Sequence, residues 1–421
     1  MKTVNIAYGE SRLEVKVPDY SEVILPNYPV PFDNPYREIR KSILNPVNSV
    51  NLKDLVDEND KVAISICDVT RPMPSQVVLS AILDELDHIN KSNIEIIIAT
   101  GTHRATTRTE IETMLGSKIT NNYSVLNHDC FDKDKLTYCG KTSTDVPIWL
   151  NKTWVNSTFK ITVGCVEPHF FAGFSGGPKM VAPGLAGKET IYALHNAERI
   201  GDEHSSWGLI RGNVIQDSIR EIVLKTGVDF SIDVTTDFEN KITSVCSGNL
   251  FDVHKVQVEK AKSISMQEVS NKFDLVITTN SGYPLDLNLY QTIKGISAAF
   301  KILKDDGVIL CASECRDGFP DHGKYKDLLK NGTSAQSILD SILYSDKVIQ
   351  DQWQVQIQAQ ILLKSKVYLY SDYLNDQDVL TAGFNPVHDM NTTIEGIVDE
   401  LGEKPYICVL PEGPQTIPFI N

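Results

Sequence analysis

Apolar residues in this chain recur with two periods, one of strands and one of helices. Near the start, Val4–Ala7, Leu13–Val17 and Glu22–Leu25 read as short strands, and a helix is expected over Tyr36–Leu44 between Pro35 and Pro46. From residue 61 the pattern becomes repetitive. Lys61–Cys67 is a strand of the buried type, Gln76–Ile89 an amphipathic helix, and Ile94–Thr100 a second β-branched strand. A short helix should start near Thr107, where Thr-Arg-Thr-Glu resembles a capping box. Phe159–Cys165 is a third apolar strand.

Strands alternating with helices predict βαβ units, and therefore an α/β fold with a mainly parallel sheet flanked by helices. The same rhythm restarts in the second half with Leu275–Thr279, Tyr290–Lys304 and Val308–Ala312, after a long helix over Phe251–Lys262. Two such domains are expected. One covers residues 1–270 and the other 271–400, with 401–421 a tail whose strand-like Tyr406–Leu410 is a candidate to return to the first domain. In parallel sheets ligands bind beyond the carboxyl ends of the strands. Those ends carry Asp68-Val-Thr-Arg-Pro-Met-Pro74, Gly101-Thr-His-Arg104 and Val166-Glu-Pro-His169, all rich in chemistry.

Composition narrows the function. With 421 residues, 41% hydrophobic and 23% charged, the chain is an ordinary globular protein with material for large cores. Its 55 acidic against 40 basic side chains leave a net charge of −15. Such a surface repels nucleic acid and anionic membrane, so neither is an expected partner, and an anionic substrate needs a local basic pocket. The Met1 end reads as alternating strand and not as a signal peptide, and no apolar run reaches the length of about 18 residues that a membrane span requires. The eight cysteines are scattered, which fits buried free thiols in a reducing, cytoplasmic compartment.

The most unusual segment is residues 168–187. Gly173, Gly176, Gly177, Gly184 and Gly187 crowd around Lys179 there. Backbone N–H groups of such a turn can cradle an anion, and Lys179 adds a charge or a reactive amine. Taken alone, the segment reads better as a connector with a solvated lysine, and its spacing is not that of a P-loop. His195 closes an apparent helix, Glu189–His195, without the clustered partners that a protein-only zinc site needs. If it binds metal, most ligands must come from something other than the protein. His103 and His169 stand at strand ends, where a near-neutral imidazole suits proton transfer. Asp68 and Arg71 sit three apart in a loop fixed by Pro72 and Pro74. Gln291 and Lys294 share one face of a helix start, a reasonable carboxylate site. Asp351-Gln-Trp-Gln-Val-Gln-Ile357 is a further polar-aromatic stretch. Singly, each of these has a bland structural reading; together on successive strand ends they weaken it.

These residues resemble a known family. Asp-x-Thr-Arg-Pro-x-Pro, Gly-Thr-His-Arg, Pro-His-x3-Gly-Phe-Ser-Gly-Gly-x-Lys, the Pro-Gly and histidine that follow, Tyr-Gln-x2-Lys-Gly and Gln-Trp-Gln-Val-Gln run in order from about residue 60 to 365. The set is similar to the nickel-dependent lactate racemases, and the motifs are far more specific for the family than for its substrate. The resemblance implies a nickel-pincer nucleotide, nickel(II) pyridinium-3-thioamide-5-thiocarboxylic acid mononucleotide, attached covalently through Lys179. It makes His195 the nickel ligand and Asp68, Val69, Thr70 and Arg71 further cofactor-binding residues. Softer sulfur donors with one imidazole suit square-planar nickel(II), which removes the oddity of an isolated histidine.

The resemblance further implies racemisation of D- and L-lactate by reversible hydride transfer from the substrate Cα, in an active site in the interdomain cleft. His103 and His169 become the acid/base residues at the hydroxyl. Arg71, Gln291 and Lys294 become substrate-binding residues, with Arg71 and Lys294 gripping the carboxylate and Asp68 orienting Arg71 or a cofactor group. Cofactor-maturation proteins are the implied partners. Two alternatives stand beside this reading: a racemase or epimerase of a larger 2-hydroxy acid such as malate, 2-hydroxyglutarate or a sugar acid, and a non-catalytic cofactor carrier. The carrier would need only Lys179 and His195, so retention of both histidines at strand ends disfavours it.

Overall fold

The chain was analysed as a computed structural model, which describes every residue except Pro72, Asp321, His322 and Asn421. Pro72, one of the two prolines expected to fix the Asp68 loop, thus lies outside the described residues. Packing divides the chain into two units. One comprises Tyr28–Leu194 and His204–Ser263; the other comprises Met1–Asn27, His195–Glu203 and Ile264–Asn421.

The first unit is built on a six-stranded sheet in the order Ile242–Gly248, Phe230–Thr236, Phe159–Cys165, Val62–Cys67, Ile94–Ala99, Ser124–Asn127. Every pairing is parallel except the antiparallel edge strand Ile242–Gly248. Val62–Cys67 is buried along its whole length, which explains its unbroken apolar run. Helices Pro35–Ile43 and Ser75–Glu85 supply Ile39, Ile43, Val78, Leu79 and Ile82 to the same core. The expected capping box forms: Thr107 and Glu110 exchange side-chain and backbone bonds at the start of helix Arg108–Leu115.

The second unit holds a wholly parallel sheet in the order Asn385–Val387, Ser365–Tyr370, Leu303–Ala312, Phe273–Thr279, Ile407–Leu410, Glu22–Val23. Three arrangements differ from the linear partition expected at residue 270, the first being that His195–Glu203 belongs to this unit. The hairpin Lys2–Tyr8/Ser11–Val17 packs Ile6, Tyr8, Val15 and Val17 onto Leu275, Ile277, Leu310 and Val409, so the chain start belongs with the later residues. The tail strand Ile407–Leu410 lies between Phe273–Thr279 and Glu22–Val23, inside the second unit's sheet rather than in the first unit. A strand buried on both faces fits any parallel sheet, so its pattern alone does not choose one.

Smaller differences fall at element ends. The helix expected to run to Lys304 stops at Phe300, and Lys304 lies in the next strand, where its ammonium holds the Asp274 carboxylate at 2.9 Å. All eight cysteines are free thiols and seven are buried. Among the described residues no helix is long and apolar enough to cross a membrane.

Candidate functional site

In the first unit the parallel strands deliver their polar ends side by side. Strand Val62–Cys67 ends at Asp68, and its neighbour Ile94–Ala99 leads through Gly101 to His103. Gly101 adopts φ +54°, which glycine tolerates, and donates its N–H to the Gly184 carbonyl at 3.0 Å. The His103 Nδ1–H then donates to Asp68 Oδ2 at 2.7 Å, and the other carboxylate oxygen accepts from the Thr70 N–H and hydroxyl at 3.2 and 2.7 Å. Burial pushes the Asp68 carboxyl up, but His103, Thr70 and Arg71 outweigh it and hold it below the usual carboxylate range. A charged Asp68 holds the ring proton on Nδ1 and turns Nε2 away from the carboxylate.

Of the two partners expected for Asp68, Arg71 or a cofactor group, the Arg71 side chain is not the one that it bonds; Asp68 holds His103. The Arg71 guanidinium instead pairs with the Glu167 carboxylate, both side chains being largely buried. Burial disfavours the Arg71 charge, and Glu167 more than restores it. Glu167 is itself fixed by Ser175, which donates its backbone N–H to the Glu167 carbonyl at 2.9 Å and whose hydroxyl receives the Glu167 N–H at 3.0 Å. Val69 and Thr70 lie half-buried in the intervening turn.

Two residues past Glu167 stands His169, buried, in the tiny hairpin Pro168–His169/Gly173–Phe174. Its Nδ1 accepts backbone N–H groups of Ala172 and Phe171 at 3.3 and 3.5 Å, and its ring packs on Phe170 and Phe171. With Nδ1 accepting, the neutral ring carries its proton on Nε2. His103 and His169 are therefore held in opposite tautomers, one presenting a basic Nε2 and the other an Nε2–H.

Lys179 sits in the single turn Gly177–Met180, its ammonium 5.6 Å from the centre of the Phe171 ring. The turn is anchored on several sides. Gly176 and Gly177 adopt positive φ, Ser65 Oγ donates to the Met180 carbonyl at 2.7 Å, and the Gly184 N–H bonds the Lys179 carbonyl at 3.1 Å. The fully buried Asp233 accepts the Gly177 N–H with both oxygens, at 3.0 and 3.2 Å. His254 bonds the Ser175 carbonyl through Nε2 at 3.0 Å, and its ring lies where a Cβ on Gly177 would fall. A solvated connector has no such anchoring.

The second unit contributes a different set. The helix expected to carry His195 ends at Leu194, so His195 lies in the turn before the short helix Ala197–Ile200. Its buried ring packs 5.0 Å from that of Trp353, whose indole N–H donates to the Tyr290 hydroxyl at 2.9 Å. Trp353 belongs to helix Gln352–Leu362, in which Gln356 bonds the Ala197 carbonyl at 2.9 Å and thereby fixes the turn after His195. Gln291 and Lys294 lie half-buried in the first turns of helix Leu289–Phe300, capped by Asn288. Within this unit, then, His195, Trp353, Tyr290 and the Gln291–Lys294 face form one connected group. Among the described residues no cluster of three or more His, Cys, Asp or Glu side chains is placed to hold a metal ion.

Three residues were missed by reading the sequence. Glu167 lay inside a quoted motif without a role, and the adjacent proline and histidine drew attention away from it. Asp233 carries a usable signal, being the one charged residue in the buried strand Phe230–Thr236. His254 has no distinguishing signal on its long helix.

The chain resembles known proteins over its whole length. A family model described as the lactate racemase N-terminal domain matches residues 8–208, and one described as the lactate racemase C-terminal domain matches residues 269–417. The lactate racemase of Thermoanaerobacterium thermosaccharolyticum is 32% identical over 424 residues, covering 99% of both chains, and that of Lactiplantibacillus plantarum is 32% identical over 386 residues, covering 89% of each. The solved structure of the lactate racemase apoprotein from T. thermosaccharolyticum superposes with a TM-score of 0.92 at 31% identity, covering 99% of this chain and all of that one. A protein from Thermotoga maritima shares the fold at a TM-score of 0.71 and 15% identity, covering 94% of this chain and all of that one. By family models and by full-length relatives alike, the chain belongs to the lactate racemase family.

Proposed function

We propose that this chain is an isomerase that interconverts D- and L-lactate, with His103 and His169 exchanging the hydroxyl proton. The observation that carries the reading is that the two strands flanking Val62–Cys67 each lead to a histidine, one of them held by the buried Asp68 carboxylate. Inverting a carbinol carbon without net redox change requires a base for the hydroxyl proton of one enantiomer and an acid to return a proton to the other. His103, held by Asp68 Oδ2 at 2.7 Å, offers the base. His169 offers the acid in its imidazolium form, its Nδ1 then parting from the Phe171 and Ala172 N–H groups that it meets at only 3.5 and 3.3 Å. Reversing the reaction exchanges the two roles.

The residues also suit a tethered nickel-pincer nucleotide. Lys179 provides a primary amine on a turn anchored by Asp233, Ser65 and Gly184, where a thioamide linkage would be held in one place. His195 provides an imidazole, and among the described residues no group of three or more His, Cys, Asp or Glu side chains forms a metal site, which suits a metal whose other ligands arrive with an organic group. When bound, such a group supplies a hydride acceptor for the substrate Cα, whose proton is too weakly acidic to remove directly. Asp68, Val69, Thr70 and Arg71 are the further residues assigned to hold it.

Arg71, Gln291 and Lys294 are assigned to the substrate. An arginine gives two-point geometry to a carboxylate, and the Glu167 pair sets the plane of the Arg71 fork. His169, Phe170 and Phe171 form a buried aromatic group around the acid/base position, which favours a small substrate. The reaction is assigned to the cytoplasm, with cofactor-maturation proteins as partners.

The test is to express the chain with cofactor-making proteins and follow enantiopure 2-hydroxy acids by chiral chromatography. Lactate should be inverted, and lactate deuterated at Cα should react more slowly yet keep its label. Inversion of malate without lactate would move the assignment to a larger acid. Exchange of the Cα deuterium with solvent would remove hydride transfer in favour of a carbanion.

A further inference from the structure

We infer that Asp233 is a positioning residue for Lys179, holding the lysine turn against the strand ends and so setting the exposure of its amine. The inference rests on the reading of Lys179 as the attachment point, and it concerns a residue that takes no part in the proton transfers assigned above.

Asp233 lies in the middle of strand Phe230–Thr236, paired with Gly164 of the neighbouring strand. Its side chain is fully buried, and its partners are the backbone N–H groups of Gly177 and Gly164 rather than a cation. Placing a carboxyl in such surroundings is costly, and a neutral serine or asparagine would satisfy a single N–H at lower cost. Burial accordingly raises the Asp233 carboxyl to about 7, against the pull of the two N–H groups.

The surroundings are shaped to admit this carboxyl. A Cβ on Gly164 would fall 2.4 Å from Asp233 Oδ1 and 2.9 Å from the Gly176 Cα, so only glycine leaves room for both the carboxyl and the turn above it. Gly177 is held from two directions. Its N–H points to Asp233, and the His254 ring lies 2.6 Å from the position of an added Cβ. Gly177 opens the turn in which Lys179 is the third residue, and the Lys179 N–H closes back on the Gly176 carbonyl at 3.1 Å. Releasing the Gly177 N–H therefore frees the residue from which the lysine's own backbone is set. The half-buried amine would then leave its place beside Phe171.

The experiment reads the amine directly and needs no cofactor. The chain is treated with formaldehyde and cyanoborohydride, and methylation of each lysine is followed by peptide mass spectrometry, the other lysines serving as internal standards. In Asp233→Ala, which leaves the Gly177 N–H without its side-chain acceptor, Lys179 should be modified about fivefold faster than in the wild type, the equivalent of losing one backbone hydrogen bond, while the remaining lysines keep their rates. Gly164→Ala should give the same selective change by displacing the carboxyl. Unchanged Lys179 labelling in the folded variants would overturn the assignment. So would an acceleration shared by all lysines, which marks general loosening. If neither variant folds, hydrogen exchange on the wild type decides: Gly177 should exchange as slowly as the amides of strand Phe159–Cys165, and exchange at the rate of an open turn would overturn the inference. Attachment itself is judged separately, by whether Lys179→Ala loses the mass adduct after co-expression.

Discussion

The two units share an architecture and use it differently. Each is a six-stranded, mainly parallel sheet, and in each the carboxyl ends of the strands are where a parallel sheet presents ligand sites. In the unit Tyr28–Leu194/His204–Ser263 those ends carry Asp68, His103, Glu167 and His169, all ionisable side chains. In the other unit the corresponding ends carry Asn280, Ser313, Ser371 and Pro411, followed by Glu314, Asp372 and Glu412, and these serve internal hydrogen bonds and ion pairs. Asn280 accepts the Gly295 N–H at 2.9 Å, Ser371 donates to the Glu314 carbonyl at 2.8 Å, and the Pro411 carbonyl receives the Thr279 hydroxyl at 3.1 Å. Its candidate chemistry comes from two helices and a turn instead, through Gln291, Lys294, Trp353 and His195. The fold fixes where a site is available, and the residues decide which kind of work is done there.

The sharpest way to break this comparison is to remove the two histidines proposed to transfer protons in the first unit. His103→Ala and His169→Ala should each lower turnover by about 10²–10⁴-fold, in both directions and unequally. Steady-state rates from pure D- and pure L-lactate measure this. Equal, few-fold losses in both variants would mean that the histidines only pack, and the contrast between the units would disappear.

Acid should expose the first unit's dependence on buried neutral histidines. Burial lowers His128 and His254 to about 4, from an ordinary value near 6.5. The folded chain then binds fewer protons than the unfolded chain between those values, so stability falls as pH drops from about 6.5 to 4. Each histidine contributes up to about 3 kcal/mol across that window. Asp233 has the opposite sign. Its folded value near 7 lies above the ordinary 3.8, so it binds the proton first in the folded state and offsets roughly one of the two histidines. The melting temperature should therefore decline below pH 6.5, and His128→Gln should flatten the decline. Parallel pH profiles for the variant and the wild type would show that His128 is not held neutral by burial.

Asp68→Asn tests how the first unit holds its base. The amide keeps the shape but loses the charge that fixes the His103 tautomer, and a charge-assisted bond of this type is worth about 1.5–3 kcal/mol. Turnover should fall about 10–100-fold with little change in KM. A large rise in KM at unchanged turnover would mean that the Asp68 charge does not act through the His103 tautomer.

What could be read in advance follows the range of the forces involved. The βα rhythm was legible because strands such as Val62–Cys67 are buried on both faces and are followed by local cap and turn signals such as Thr107–Glu110. His103, His169 and Lys179 were legible as candidates because glycine and proline mark the turns that carry them. The pairing of the hairpin Lys2–Val17 with strands beyond residue 270 was not legible, since nothing local specifies which distant apolar face it covers. Nor was the partner of Arg71: Asp68 is nearer in sequence, but Glu167 lies on the adjacent strand's end, and side-chain pairing follows the sheet rather than the chain. His195 was placed on a helix because Glu189–His195 has helical composition, yet helix ends depend on tertiary bonds such as that from Gln356 to Ala197.

The smallest expected effect lies in the second unit and tests whether its helices bind rather than catalyse. Trp353 touches His195 with its ring and gives its indole N–H to the Tyr290 hydroxyl at 2.9 Å, one residue before Gln291. Trp353→Phe keeps an aromatic ring against His195 but leaves the buried Tyr290 hydroxyl without that donor. A neutral hydrogen bond of this kind contributes about 0.5–1.5 kcal/mol. If the Gln291–Lys294 helix orients substrate, KM should rise about 2–10-fold while turnover holds, because the acid/base histidines are untouched. A fall in turnover at constant KM would place Trp353 with the reacting groups, and the division of work between the two sheets would have to be redrawn.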